Sequence, residues 1–143
     1  MTTANPVIGT WELKSYVREI QETTERIELF GARPFGRLVY APSGHVAGLM
    51  LHETRPKPMG KAATDAEALS LFRSMVAYTG RYEVRGDTVV HHVDASWNEV
   101  WTGTDLVRTF KLDGRTLTLT TVPGPSAVDG KTGISILVWE KVD

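Results

Sequence analysis

The stretch Gly80-Arg81-Tyr82-Glu83-Val84-Arg85-Gly86-Asp87-Thr88-Val89-Val90-His91-His92-Val93-Asp94 decides the fold class. Two β-rich runs flank an Arg-Gly-Asp turn whose length and glycine placement suit an antiparallel hairpin. Alternation then sorts each run into two faces, because successive side chains of a strand point to opposite sides. Tyr82 lies with Gly80 and Val84, opposite Arg81, Glu83 and Arg85. In the second run Val89, His91, Val93, Ala95 and Trp97 form the drier set, and Val90, His92, Asp94 and Ser96 the wetter one. His91 is therefore predicted inside and His92 outside.

The same pattern repeats along most of the chain. Turn signals fall at Pro42-Ser43-Gly44, Asp113-Gly114 and Asp129-Gly130 as well as at Arg85-Gly86-Asp87. Between them Thr10–Ile20, Glu25–Phe30, Arg37–Ala41, His45–His52, Gly80–Val84, Thr88–Trp97, Asp105–Leu112, Thr116–Val122 and Gly133–Val142 read as strands. One segment differs. From Thr64 to Tyr78 there is no Gly or Pro, and Thr64 followed by Glu67 reads as a capping box, so the pattern predicts one helix over about 64–78. Leu69, Phe72 and Val76, widened by Leu71 and Met75, are expected to bury a stripe against the strands. Glu53–Ala63, with Pro56, Pro58 and Gly60, reads as an exposed loop at a barrel mouth, and Pro123–Thr132 as a second such loop.

Consecutive hairpins leave edge strands unless the sheet closes. The expected architecture is thus all-β: one antiparallel up-and-down barrel of about eight to ten strands with a single inserted helix, a sandwich being the competitor. A chain of 143 residues suits one domain, 1–143. Sixteen Lys and Arg against seventeen Asp and Glu give a net charge of −1, which favours neither nucleic acid nor an anionic membrane as partner. The absence of cysteine excludes disulfides, thiolate metal sites and a Cys nucleophile. The start of the chain carries no basic, apolar leader pattern, which points to the cytoplasm.

Polar residues on predicted inner faces single out a site. Arg108 shares its face with Leu106, Phe110 and Leu112; Tyr40 lies with Leu38; His52 lies with Val46, Gly48 and Met50. Desolvating a lone charge or imidazole costs several kcal/mol, so such groups need a partner, from the protein or from a ligand. One reading gathers His91, Arg108 and Tyr82 as catalytic groups in an apolar cavity. Arg108 would hold an oxyanion and His91 or Tyr82 would move a proton, with Tyr40, Met50, His52, Trp97, Trp101 and Phe110 contacting the ligand. In the other, Arg108 stacks on a tryptophan as a plug at the closed end and His91 is a hydrogen-bonded core residue. His91 and His92 point to opposite faces, and neither HxH nor HExxH spacing occurs, so no metal is expected. Gly31-Ala-Arg-Pro-Phe-Gly36 is not a nucleotide loop, and Ser126-Ala-Val-Asp129 lacks a nucleophile elbow. No cofactor is expected.

Gly9-Thr10-Trp11 resembles the GxW signature of calycin barrels, and Val138-Trp139-Glu140-Lys141-Val142 their last strand, where a basic residue commonly packs across the tryptophan. Tyr78 to Asp94, Trp101-Thr-Gly-Thr-Asp-Leu-Val-Arg108, Leu112-Asp-Gly-Arg-Thr-Leu-Thr-Leu119 and Phe35-Gly-Arg-Leu-Val-Tyr-Ala-Pro-Ser-Gly-His-Val46 together resemble the bacterial and fungal lipocalin-like domain family. The resemblance runs from about Ile8 to Val142. It implies a short calycin-type barrel with a helix inserted before the middle strands. Barrels of related shape act as cofactor-free cyclases, isomerases or dehydratases in natural-product pathways, and others bind ligands. Tyr82, His91 and Arg108 match motif positions, Trp11 a structural one. Trp97-Asn98-Glu99 departs from the pattern, since members often carry a proline before the tryptophan-glycine segment. The expected partner is a small hydrophobic ligand or substrate, handled by a cofactor-free enzyme, a carrier or sensor, or else excluded by a packed structural barrel. A homodimer is the assembly to test, because exposed strand faces are often buried in pairs.

Overall fold

The computed structural model describes residues 5–125 and 130–142; Ser126-Ala-Val-Asp129, and with it half of the Asp129-Gly130 turn, lies outside the described residues. Ten strands and one helix follow in the order β1 (Gly9–Ile20), β2 (Arg26–Glu28), β3 (Phe35–Tyr40), β4 (His45–Leu51), α1 (Asp65–Arg73), β5 (Met75–Arg85), β6 (Thr88–Ser96), β7 (Asp105–Asp113), β8 (Thr116–Thr121), β9 (Gly124–Pro125) and β10 (Thr132–Lys141). Each neighbouring pair is antiparallel. The sheet runs β1-β3-β4-β5-β6-β7-β8-β10 and closes through β10 back onto β1, an eight-stranded barrel with β2 and β9 as short additions to β1 and β10. Closure leaves the eight strands with no unpaired edge. The hairpins turn where glycine is needed: Gly44, Gly86 and Gly114 sit at φ +90°, +63° and +60°, a region that costs an L side chain energy.

The two ends of the barrel differ. At one end Trp11 is buried, its indole N–H donates to the Val7 carbonyl at 2.9 Å, and the Lys141 ammonium lies 6.0 Å from its ring centre. Lys141 of the last strand is thus the basic residue packed across a tryptophan that the resemblance to calycin barrels implies. Val7, Tyr40, Val46 and Val89 fill the same end, and burying each such side chain contributes about 1.5–3 kcal/mol. The other end, where β4, β6 and β8 finish, carries the long connections and α1.

Three local expectations are corrected. The helix stops at Arg73 rather than near 78, because Met75–Thr79 pairs with Ala47–Leu51 of β4, and ladder formation overrides local helix propensity. Its capping box forms as read, with Thr64 Oγ1 accepting from the Glu67 N–H and Glu67 Oε1 from the Thr64 N–H. The buried stripe does not form: no residue of α1 is buried, and Leu69 and Phe72 are 49% and 42% exposed. Finally, Gly80 pairs with Val93 but Thr79 with Ala95, so Asp94 is an extra residue in β6. That bulge reverses the alternation, leaving Ala95 exposed and setting Ser96 opposite Tyr78. Ala95 and Trp97 therefore leave the face that carries His91.

Candidate functional site

A cavity of about 290 Å³ opens between the packed core and the loop-bearing end. Leu38, Met50, Leu106, Leu119, Leu137 and Trp101 give it apolar walls, and Arg108, Tyr78, Asp105, Arg18, Thr121 and Ser135 are among its polar lining. Of the residues singled out in the sequence, it gathers Arg108, Met50 and Trp101. The others lie elsewhere. His91 and Tyr40 stand directly behind the wall, bonded to the cavity residue Tyr78 or to each other. Tyr82 sits toward the closed end, donating to the Ala41 carbonyl at 2.8 Å and accepting from Asn5 at 3.0 Å. Trp97 packs outside Trp101, with ring centres 5.0 Å apart, and donates to the Phe72 carbonyl of α1. His52 lines a separate surface groove with Phe30 and α1, and Phe110 packs on the core.

Arg108 is half-buried, and the hydrogen bond its guanidinium makes is to the neighbouring Val107 carbonyl at 3.2 Å. Among the described residues it forms no ion pair, since Asp105, in the same lining, turns its carboxylate to His92 at 2.7 Å on the outer face. That contact, with Glu83 at 3.1 Å on the other nitrogen, raises the His92 pKa. Arg108 touches no ring either: the cation–aromatic contacts among the described residues are those of Arg37 and Lys141.

Behind the wall, the His91 Nε2 lies 2.6 Å from the Tyr40 hydroxyl and its Nδ1 lies 2.8 Å from that of Tyr78. Burial, reinforced by the Arg108 charge, pushes the His91 pKa down to about 3, so the ring is neutral and carries one proton. Burial likewise raises Tyr40 well above 10 and Tyr78 to about 12, so both stay protonated. The order of the chain follows from counting protons. Tyr40 is 1% exposed and has His91 as its hydroxyl's partner; were it to accept from Nε2, its own proton would be buried unpaired at a cost of about 1–3 kcal/mol. Tyr40 therefore donates to Nε2. His91 then carries its proton on Nδ1 and donates to the Tyr78 oxygen. The Tyr78 proton is left for the cavity.

Two residues escaped the sequence reading for identifiable reasons. Tyr78 fell inside the predicted helix. Arg18 is 2% exposed and reaches the Ser135 hydroxyl at 3.4 Å, the Gly124 carbonyl at 2.9 Å and the Lys131 carbonyl, clamping β9 and the start of β10 at the mouth. Lys14 bulges out of the β1–β10 ladder, so the inward set changes from Trp11 and Leu13 to Tyr16, Arg18 and Ile20. The move of bulky residues from odd to even positions was the available signal.

A family model described as a lipocalin-like domain matches residues 8–142. No curated protein gives a significant match. Among solved structures, the chain is similar to an uncharacterized protein from Bacteroides eggerthii at 12% identity and a TM-score of 0.45, over 94% of this chain and 98% of that one. No helix among the described residues is long and apolar enough to cross a membrane.

Proposed function

The chain belongs to the lipocalin-like domain family, and from that premise we propose that it binds a small, largely apolar molecule bearing a carbonyl or carboxylate within the barrel, as a carrier or sensor. One observation carries the reading: a half-buried Arg108 faces an apolar-walled cavity with no carboxylate partner among the described residues. A guanidinium in such surroundings gains most from a ligand oxygen, because the low local dielectric strengthens a charge-assisted bond. A cofactor-free cyclase, isomerase or dehydratase would use the same oxygen-holding role for Arg108 but needs a proton shuttle as well. His91, neutral down to about pH 3, and Tyr82, hydrogen-bonded at the closed end, are poorly placed to supply it, which favours binding over catalysis.

The test is native mass spectrometry of freshly purified protein, followed by denaturing extraction of whatever is bound. A stoichiometric small acid or ketone is expected, lost from Arg108→Ala with its circular dichroism unchanged and retained in part by Arg108→Lys. An Arg108→Ala protein that fails to fold would instead make the arginine structural. A wild-type protein that arrives empty and excludes the neutral probe N-phenyl-1-naphthylamine would remove the binding reading altogether.

A further inference from the structure

We propose that the Tyr78 hydroxyl, with Arg108, receives an anionic oxygen of the ligand, and that Tyr40 and His91 are positioning residues that keep the Tyr78 proton directed at the cavity. This rests on the binding reading above and adds to it the charge of the ligand and the residue that touches it.

The donors and acceptors around the cavity are unequally engaged. Arg108 and Tyr78 offer donors, and Trp139, also in the lining, has its indole N–H buried without an acceptor among the described residues. Among the described residues the side-chain acceptors of the lining have partners: Asp105 holds His92, Thr121 Oγ1 accepts from the Ser135 N–H at 2.8 Å, Ser135 Oγ accepts from Arg18, and Tyr16 is engaged as well. A cavity whose unpaired side-chain groups among the described residues are donors, beside a cation, suits a carboxylate better than an amine or an alcohol donor. Its volume of about 290 Å³ lies near the small end of ligand pockets, which fits a compact monocarboxylate with an apolar body. The hydrogen-bond chain explains why three aromatic side chains serve a single donor. Were His91 free to carry its proton on Nε2, Tyr78 would turn its own proton to Nδ1 and withdraw it from the ligand. The buried Tyr40 hydroxyl, with nowhere else to donate, blocks that state.

Two measurements test this. A long-range proton–nitrogen spectrum of uniformly 15N-labelled protein should show His91 protonated on Nδ1 in the wild type and a mixture of tautomers in Tyr40→Phe; a wild-type ring protonated on Nε2 would overturn the proposal without any ligand. Octanoate and octanol, titrated against the fluorescence of the cavity tryptophans, give the second readout. Octanoate should bind at least about tenfold more tightly than octanol, and Tyr78→Phe should weaken octanoate about tenfold and octanol by clearly less. Tyr40→Phe should weaken octanoate also, although Tyr40 does not line the cavity. Equal binding of octanoate and octanol, or an indifferent Tyr78→Phe, would sink the anionic assignment while the binding reading stands. If octanoate, octanol and N-phenyl-1-naphthylamine are all excluded, both fail.

Discussion

Replacing His91 by Gln should change how the barrel responds to acid more than how it behaves at neutral pH. The imidazole is enclosed by Tyr40, Tyr78 and the Arg108 charge, and its pKa falls from 6.5 to about 3 on folding. As pH drops below about 6.5 the unfolded chain takes up a proton that the folded protein refuses, so stability falls with pH until about pH 3, where the folded ring protonates too. At about pH 5 the unfolded ring lies roughly 1.5 pH units into its titration, and at about 1.36 kcal/mol per unit this one residue removes about 2 kcal/mol relative to pH 8. Urea unfolding of wild type and His91→Gln at these two pH values isolates the effect, because the carboxylates and the exposed His92 pair contribute equally to both proteins. The variant should lose about 2 kcal/mol less than wild type between pH 8 and pH 5. An equal loss in the two proteins would mean that His91 is not held neutral, and the proton count that directs Tyr78 to the cavity would fail with it.

Thr64→Ala should remove the cap of α1 and cost that helix about 1 kcal/mol, yet leave the global unfolding midpoint in place, since α1 buries no residue; faster hydrogen exchange confined to 65–73 is the expected readout. Gly80→Ala should act in the opposite way. A Cβ at position 80 would overlap the His92 carbonyl oxygen at the β5–β6 bulge, so a loss of about 1–3 kcal/mol or more, with altered exchange in both strands, is expected from thermal and urea unfolding.

Much of the barrel was legible because its determinants are local. Gly44, Gly86 and Gly114 turn hairpins that any reading of Ser-Gly, Arg-Gly-Asp and Asp-Gly would place, and alternation put His91 inside and His92 outside, where they are. Arg108 could be assigned to the inner face for the same reason, and it lines the cavity. Met50 follows from the alternation of β4, whereas Trp101 lies in the connection between β6 and β7, where alternation says nothing.

What escaped depends on partners distant in the chain. Residues 75–79 carry helix-compatible side chains, and they become strand because β4 offers a ladder, which is how Tyr78 arrives opposite Gly48 and beside His91. The extra residues Lys14 and Asp94 shift alternation by one; the bulge at Lys14 left a trace in β1 as bulky residues moved to even positions, whereas the one at Asp94 shows only in the register with β5. The sequence by itself determined an antiparallel chain of hairpins with a polar group or two turned inward. Only the tertiary structure decided where the cavity stops, which polar groups are engaged, and that the Tyr78 hydroxyl stands between His91 and the cavity, because hydrogen-bond partnership is a property of three-dimensional neighbours and alternation is not.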